Sequence, residues 1–378
     1  MKILWIGSDG MDIRLLDYFR HPFWEEIRFK STIARIPCPE SIEAGWIAKS
    51  SSPRLWARYY TGVPPKKNGV LGFWEKLTPE GEILRAKVSL DWLRKNRCEK
   101  LVCREDLLVE PIWTIMMKAG LKVGGCNLWF SFPLQDYEKE LIDKTGSFFL
   151  TDWMFPREHP RMEPDLYRWP PEVEPKEDYE DETGAGARIA QMRQEDPEGT
   201  KKRLIKQDND RLEWMDQQIK RFGMPDIAMV LTRGVDAFQH GFKTEEDLRV
   251  IYTNLMDGVE KIWKKSSFDI LILCSDHGTG LHLEGEELPL YGGEKKIPKY
   301  DKLVLHGKGE DHAWPAYIVI HPRKEGDFPV FDGVEARYED LPATVLELLG
   351  VEVPKWYEGK SLWAQAALNQ RLREDGYF

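Results

Sequence analysis

The sequence predicts a doubly wound α/β fold, in which a mostly parallel sheet carries helices on both faces. Short apolar runs rich in β-branched residues recur along the 378 residues, and helical patterns lie between them. Polar residues suited to chemistry follow several of these runs directly. Ligands bind beyond the carboxyl ends of the strands in open α/β sheets, so these residues are the first candidates for a functional site.

Each short apolar run is typical of a buried parallel strand. In chain order the runs cover 3–6, 123–130, 227–231, 270–274 and 317–320. The intervening segments have the periodicity of amphipathic helices, at 53–60, 111–119, 200–221, 245–264 and 341–349. The alternation of the two patterns favours crossover connections, which place consecutive strands parallel to each other.

Residues 1–134 and 226–378 form the predicted catalytic core, because the predicted strands and all but one of the predicted helices lie in these two ranges. Residues 135–225 differ, because a stretch rich in Pro, Trp and acidic residues precedes a long charged helix. Exposing Trp153, Tyr167 and Trp169 to water is costly, so this segment is predicted to be a cap-like insertion over the active-site face. A second irregular stretch, 283–311, is predicted to form another rim loop.

Charge and hydropathy restrict the partners and the location. Fifty-four Lys and Arg against 64 Asp and Glu leave a net charge of −10, which disfavours a nucleic acid polymer as the partner. No segment has the roughly 18 apolar residues of a membrane span, and the N-terminal residues lack a leader pattern. We therefore expect a cytoplasmic protein with a small-molecule substrate; the oligomeric state stays open. The five cysteines form no CxxC pair and are expected to be reduced thiols.

Acidic and histidine side chains recur where the predicted strands end. Asp9 follows the first apolar run, and Asp276 and His277 follow the run at 270–274. Asp236 and His240 are four residues apart, so both lie on one face of a helix and are able to bind one cation. With His312, just before the last predicted strand, they complete a set of three Asp and three His, enough for two cations.

Each of these residues also has a simpler interpretation. An aspartate at a strand-to-helix turn is often a helix N-cap, which is the alternative for Asp9. An Asp and a His four residues apart often form an ordinary surface interaction, which is the alternative for Asp236 and His240.

Ser51 and Ser52 precede Pro53 at the predicted start of a helix, and they are the candidate nucleophiles. A hydroxyl there lies near the positive end of the helix dipole, where a bound cation lowers its pKa. Simple N-capping by Ser52 is the alternative. Arg54 and Arg58 on the same helix are candidates for binding substrate phosphate, although both are also explained as solvated helix charges.

Six segments, in this order, resemble the type I phosphodiesterase and nucleotide pyrophosphatase branch of the alkaline phosphatase superfamily. They include WIGSDGMD with the opening strand and aspartate, RGVDAFQH with the D-x-x-x-H metal motif, and SDHG with the DHG motif. The others are the serine helix with the loop after it, the helix and strand at 111–133, and the terminal segment at 339–362. The family's serine pattern selects Ser51, which we favour, whereas counting back from Thr61 and Gly62 selects Ser52.

The resemblance implies a phosphoric ester hydrolase with two divalent metal ions. One metal would be held by Asp9, Ser51, Asp276 and His277, and the other by Asp236, His240 and His312. The family uses zinc or manganese, and the ligand set favours zinc. A metal-activated serine would attack phosphorus and form a phosphoseryl intermediate. His306, six residues before His312, is a further candidate for binding the substrate.

Other functions fit the same residues. Ser51-Ser52-Pro53-Arg54 is similar to the sulfatase modification signal, but its arginine comes one residue too early. A phosphomutase of the same superfamily would return the phosphoryl group to a sugar phosphate. The remaining alternatives are a metal-bound protein that binds a phosphorylated ligand without catalysis, and a structural or interaction module whose Asp and His pairs are incidental.

Overall fold

The computed structural model describes eleven segments of the chain: residues 1–37, 52–73, 75–85, 102–152, 163–174, 192–242, 244–278, 282–285, 300–304, 315–330 and 332–374. Its centre is a mostly parallel sheet. Within the described residues the sheet has nine strands, in the order β13-β2-β12-β9-β1-β8-β5-β6-β7. These strands are β1 (Ile3–Ser8), β2 (Thr32–Ile36), β5 (Val123–Leu128), β6 (Phe148–Thr151), β7 (Arg168–Trp169), β8 (Ile227–Thr232), β9 (Ile270–Cys274), β12 (Ala316–Pro322) and β13 (Asp332–Glu335).

Two small hairpins lie outside the main sheet. One pairs β3 (Glu75–Leu77) with β4 (Ile83–Arg85), and the other pairs β10 (His282–Gly285) with β11 (Tyr300–Val304). The helices are α1 (Ile13–Phe19), α2 (Pro22–Arg28), α3 (Ser52–Thr61), α4 (Pro65–Asn68), α5 (Ile112–Lys118), α6 (Asp136–Thr145), α7 (Pro164–Tyr167), α8 (Pro197–Phe222), α9 (Gly234–Gln239), α10 (Glu245–Lys265), α11 (Asp340–Leu348) and α12 (Leu362–Glu374).

Helices cover both faces of the sheet. Side chains alternate between the two faces along each strand, so both faces are apolar and each is buried by packing against helices. In β1, Ile3 and Trp5 join one hydrophobic core, and Leu4 and Ile6 join the other. The first core includes apolar residues of α3, α5, α11 and α12. The second includes those of α1, α2, α8, α9 and α10. Both faces of the central strands are therefore buried, which explains why they appear in the sequence as continuous apolar runs.

The predicted α/β class is confirmed, and the five predicted strands and five predicted helices are all present. The predicted direction of one strand was wrong. The strand predicted at 317–320 lies in β12, which pairs antiparallel with both β9 and β2. An apolar run shows that a strand is buried on both faces but not which way it runs, since direction depends on the connection before it.

The described parts of 135–225 are continuous with the core. Strands β6 and β7 extend the main sheet beyond β5, and α8 packs its apolar side into the second core. Residues 153–162 and 175–191 lie outside the described residues, so the predicted cap stays a prediction there. The same holds for most of the rim loop at 283–311, apart from the strands β10 and β11.

No helix of the described segments is long and apolar enough to cross a membrane. Cys103 and Cys274 are free thiols, and Cys126 is buried in β5. Cys38 and Cys98 lie outside the described residues.

Candidate metal centre

The candidate site lies at the carboxyl ends of three adjacent parallel strands, β9, β1 and β8. Asp9 directly follows β1, and Asp276 follows β9 after one intervening serine. Asp236 lies in α9, which begins two residues after β8. The backbone N–H of Asp236 donates to the carbonyl of Asp9 at 3.1 Å, which holds α9 against the end of β1. The sheet order thus brings together residues more than 200 positions apart.

Asp9, Asp276 and His277 form the centre of the site, and all three are buried. Each offers a ligand atom, and these atoms lie within 4.8 Å of one another. His277 Nε2 is 3.5 Å from Asp9 Oδ1 and 3.5 Å from Asp276 Oδ2. Its other ring nitrogen, Nδ1, is 2.9 Å from the carbonyl oxygen of Gly278. That carbonyl is satisfied when Nδ1 carries the proton, which leaves Nε2 as a lone-pair donor to a cation.

The carboxylates show a specific deficit that a cation would fill. Asp9 Oδ2 and Asp276 Oδ2 are buried side-chain oxygens with no hydrogen-bond partner in the described structure. A buried carboxylate oxygen without a hydrogen bond is costly, because it has lost its water without a donor in exchange, even where a charged group lies nearby. Two oxygens and an imidazole nitrogen converging at this spacing match the ligand chemistry of zinc and related divalent ions.

Electrostatics of the cluster also favour a cation. Burial and the neighbouring Asp9 carboxylate raise the pKa of Asp276 well above its ordinary value. Burial disfavours the imidazolium form of His277, but the carboxylates of Asp276 and Asp9 outweigh it and raise the pKa of His277. Both pKa values rise because the carboxylates concentrate negative charge in a buried space, so the cluster without a cation retains protons that a divalent ion would replace.

Asp236 and His240 lie beside this centre. His240 Nε2 is 3.3 Å from Asp236 Oδ1, and His277 Nε2 is 3.9 Å from the same oxygen. The hydrogen bond and charge of Asp236 raise the pKa of His240. The ion-pair contact of the surface interpretation is present, with 38% of the His240 side chain exposed, and the pair also adjoins the buried cluster. The N-cap interpretation of Asp9 does not hold for α1, since Asp12 caps that helix by accepting from the backbone N–H of Arg14.

Ser52 begins α3 and faces the cluster. Its hydroxyl donates to Asp9 Oδ1 at 3.2 Å and lies 3.3 Å from His277 Nε2. The side chain is buried, in contrast to an ordinary solvent-facing helix cap. Ser51, the serine favoured from the family pattern, lies outside the described residues.

Close packing between β1 and α3 sets the position of Ser52. The ring of Trp56, one turn into α3, lies over Gly7 of β1. A Cβ atom at Gly7 would lie only 2.6 Å from Cη2 of Trp56, so a larger residue would displace the helix. Tyr59 of α3 donates to the carbonyl of Ser275 at 2.8 Å, which ties the helix to the loop that carries Asp276.

Of the other four predicted site residues, Arg54 and Arg58 lie within the described residues, and His306 and His312 do not. Arg58 is bound to the buried carboxylate of Glu339, at 2.6 and 3.0 Å, and stacks over Tyr338 at 4.6 Å. These contacts are structural, since they join α3 to the segment before α11. Arg54 is half-buried in the first turn of α3, two residues after Ser52. His306 and His312 lie outside the described residues and stay predictions.

Two residues of the site, Arg233 and Asp208, were not predicted from the sequence. Arg233 ends the loop after β8, and its Nε atom is 3.6 Å from Asp9 Oδ2. Asp208 of α8 is fully buried and accepts from the backbone N–H groups of Arg233 and Gly234, at 3.0 and 2.8 Å. Asp208 thus holds the start of α9, which carries Asp236. The position of Arg233, three residues before the metal motif, is a signal that could have identified it in the sequence. Asp208 lies among many other charged residues of α8, so the sequence contains no signal that distinguishes it.

The arrangement therefore combines a buried hydroxyl, an acidic and imidazole cluster, and an arginine. A family model described as type I phosphodiesterase / nucleotide pyrophosphatase matches residues 47–349. The chain belongs to this family. The family is named for enzymes that hydrolyse phosphodiesters and nucleotide pyrophosphates, and the predicted branch of the superfamily is confirmed. None of the curated proteins matches the chain.

Solved structures show the same fold. Murine ectonucleotide pyrophosphatase / phosphodiesterase 5 is 12% identical, with a TM-score of 0.52 over 97% of this chain and 100% of that one. An inactive form of the same murine protein in complex with AMP gives a TM-score of 0.55, at 12% identity, over 97% and 99%. Phosphonoacetate hydrolase from Sinorhizobium meliloti is 14% identical, with a TM-score of 0.42 over 76% of this chain; the match spans 58% of that protein's length. At 12% identity the likeness to the murine protein concerns the fold alone.

Proposed function

We propose that this member of the type I phosphodiesterase / nucleotide pyrophosphatase family is a metal-dependent phosphoester hydrolase with Ser52 as its nucleophile. The observation that carries the proposal is the placement of the Ser52 hydroxyl, 3.2 Å from Asp9 and 3.3 Å from His277. A hydroxyl next to two candidate metal ligands, at the N-terminus of a ten-residue helix, suits nucleophilic attack on phosphorus. Other serines lack this combination within the described residues.

Two cation sites are proposed, with zinc favoured over manganese by the ligand types. Asp9, Asp276 and His277 would hold one ion together with the serine oxygen, and Asp236, His240 and the predicted ligand His312 would hold the other. Bound cations would stabilise the serine alkoxide and the charge that develops on the phosphoryl oxygens.

The chain's own residues account for the remaining chemistry. Ser52 Oγ loses its proton to solvent and attacks the phosphorus atom, while the bond from phosphorus to the leaving alcohol breaks and the alcohol takes up a proton. Water then hydrolyses the phosphoseryl ester, which releases the phosphate product and restores the hydroxyl. Asp9 orients the serine through its hydrogen bond. The packing of α3 on β1 keeps the nucleophile in place between steps.

Substitution of the serine tests the proposal. In Ser52→Ala we expect turnover of a bis-aryl phosphodiester to fall by about 10³-fold or more, with the metal content unchanged. Ser361→Ala is the matched control, since Ser361 also precedes a helix and accepts from the backbone N–H of Trp363, but in α12. Undiminished activity of Ser52→Ala would refute Ser52 as nucleophile, and if Ser51→Ala were inactive instead, Ser51 would take the role.

A substrate panel separates the remaining alternatives. We expect the metal-loaded protein to cleave the bis-aryl phosphodiester faster than the corresponding phosphomonoester, phosphonate or sulfate ester. Faster cleavage of the sulfate ester, with an oxidised serine detected by mass spectrometry, would establish the sulfatase function. Return of the phosphoryl group to a sugar phosphate would indicate a phosphomutase. Metal analysis that finds no stoichiometric cation would favour a non-enzymatic module.

A further inference from the structure

Arg233 lies beside Asp9, the residue that accepts from the candidate nucleophile, and the reaction described above does not use Arg233. Its side chain is 13% exposed, and its Nε atom is 3.6 Å from Asp9 Oδ2. That oxygen is one of the two buried carboxylate oxygens for which a cation is proposed. Arg233 is therefore within reach of groups that bind at the cations.

The position of the guanidinium is well defined from both ends of the residue. The backbone N–H of Arg233 donates to Asp208, which is itself held by Arg211 at 2.9 Å. The guanidinium carbon stacks over the ring of Trp129 at 4.9 Å, and that ring packs against Phe73 with centroids 5.4 Å apart. In this stacked arrangement the N–H donors lie along the edge of the guanidinium, and this edge includes Nε beside Asp9 Oδ2.

Cation binding changes the partner that suits Arg233. A divalent ion bound to Asp9 neutralises the carboxylate charge, so the attraction between Asp9 and the guanidinium weakens. A phosphoryl group brought to the same cations carries negative oxygens into that space. The planar guanidinium forms paired hydrogen bonds with two such oxygens, a geometry that suits phosphate.

We propose that Arg233 is a residue that binds the phosphoryl oxygens of the substrate, and that its fixed charge contributes more to the binding of a phosphoryl group with two negative charges than to one with a single charge, whichever ester the wild-type protein cleaves faster. This inference rests on the proposed function. It makes Arg233 a specificity-determining residue that contacts substrate, whereas a purely structural role would limit it to pairing with Asp9.

The test compares Arg233→Gln with the wild-type protein, both loaded with zinc and checked for equal metal content. The first measurement is the affinity for inorganic phosphate by titration calorimetry, which needs no turnover. We expect phosphate binding to weaken by about 10-fold or more, the effect of losing charge-assisted hydrogen bonds. Arg233→Lys keeps the charge but not the paired geometry, so its phosphate affinity should lie between the other two.

The second measurement is kcat/KM for an aryl phosphomonoester and for the bis-aryl phosphodiester with the same leaving group. The monoester carries one more negative charge, so we expect Arg233→Gln to lower its kcat/KM about 10-fold more than that of the diester. Arg249→Gln is the matched control. Its guanidinium also stacks on a ring, at 4.8 Å from Phe19, and pairs with a carboxylate, at 2.9 Å from Glu245, but it lies on α10.

The outcomes separate this inference from the proposed function. Equal phosphate affinity in Arg233→Gln and wild type, or equal losses on both esters, would overturn the role of Arg233 even in an active hydrolase. If the wild type cleaves no ester but binds phosphate through Arg233, the hydrolase proposal fails and the anion site stands. If the metal-loaded wild type cleaves the diester but does not bind phosphate, the hydrolase proposal stands and the role of Arg233 is overturned. If it neither cleaves an ester nor binds phosphate, both are overturned.

Discussion

Asp9 and Asp276 are held out of water at the ends of β1 and β9, although burial of a carboxylate is unfavourable. Part of the cost is offset locally, because the backbone N–H of Gly10 donates to Asp276 Oδ1 at 3.1 Å. Gly10 adopts a φ of +69°, and a Cβ there would lie 3.0 Å from Cβ of Asp236, so glycine allows the turn that brings these residues together. In the proposed function, a bound cation offsets the rest of the free-energy cost of burying these carboxylates.

His321 is the residue for which we predict a clear dependence of stability on pH. It is buried in β12 against Trp263, and burial lowers its pKa to about 4. The unfolded chain binds a proton near pH 6.5 and the folded protein does not, so stability is full above pH 6.5 and falls as the pH decreases toward 4.

Between pH 7 and 5 this proton should lower the free energy of unfolding by about 2 kcal/mol. His321→Leu removes the titrating group and keeps an apolar contact with Trp263. The measurement is urea unfolding at pH 7 and pH 5 for both proteins. A pH-dependent loss of the same size in His321→Leu would contradict the assignment.

The contact between β1 and α3 determines where the candidate nucleophile lies. Gly7 and Trp56 are in direct contact, so the distance between strand and helix is set by the absence of a side chain at position 7. We predict that Gly7→Ala displaces the start of α3 from Asp9, lowers stability by about 1–3 kcal/mol and lowers phosphoester hydrolysis about 10-fold or more.

A compensating variant tests the cause of this effect. The atoms of Trp56 nearest to the added methyl group are Cη2 and Cζ3 at the far end of the indole, and phenylalanine lacks them. Gly7→Ala combined with Trp56→Phe should therefore recover much of the activity lost in the single variant. Failure of the double variant to recover, with Trp56→Phe alone active, would show that the strand–helix distance does not govern the nucleophile.

At the scale of the molecule, the candidate ligands come from separate strands and helices, so cation binding should stabilise the whole fold. We predict that a chelator lowers the free energy of unfolding, by about 3–4 kcal/mol when the cation had been present at 100 to 1,000 times its Kd. The measurement is denaturant unfolding of the metal-loaded and the chelated protein.

Asp276→Asn is the control for this effect. Asparagine keeps an oxygen able to accept from Gly10 but removes one of the buried negative charges. We expect the chelated variant to be more stable than the chelated wild-type protein, by on the order of 1 kcal/mol, and to lose most of the response to cations. An unchanged response would place the cation away from Asp276.

The types and places of the main elements were determined by the sequence alone, because burial of both strand faces and one helix face leaves a periodic pattern of apolar residues. The same pattern located Asp9, Asp236 and Asp276 at strand ends, where a parallel sheet gathers its ligands. His240 and His277 could be predicted beside them because they are close in the chain.

Only the tertiary structure decided the strand order, the antiparallel direction of β12, the approach of Ser52 to Asp9 and His277, and the contacts of Arg233 with Asp9, Trp129 and Asp208. The physical reason is that periodicity and turn chemistry depend on neighbours within a few positions. These contacts join residues tens to hundreds of positions apart, and their distances depend on how the two cores pack against the sheet.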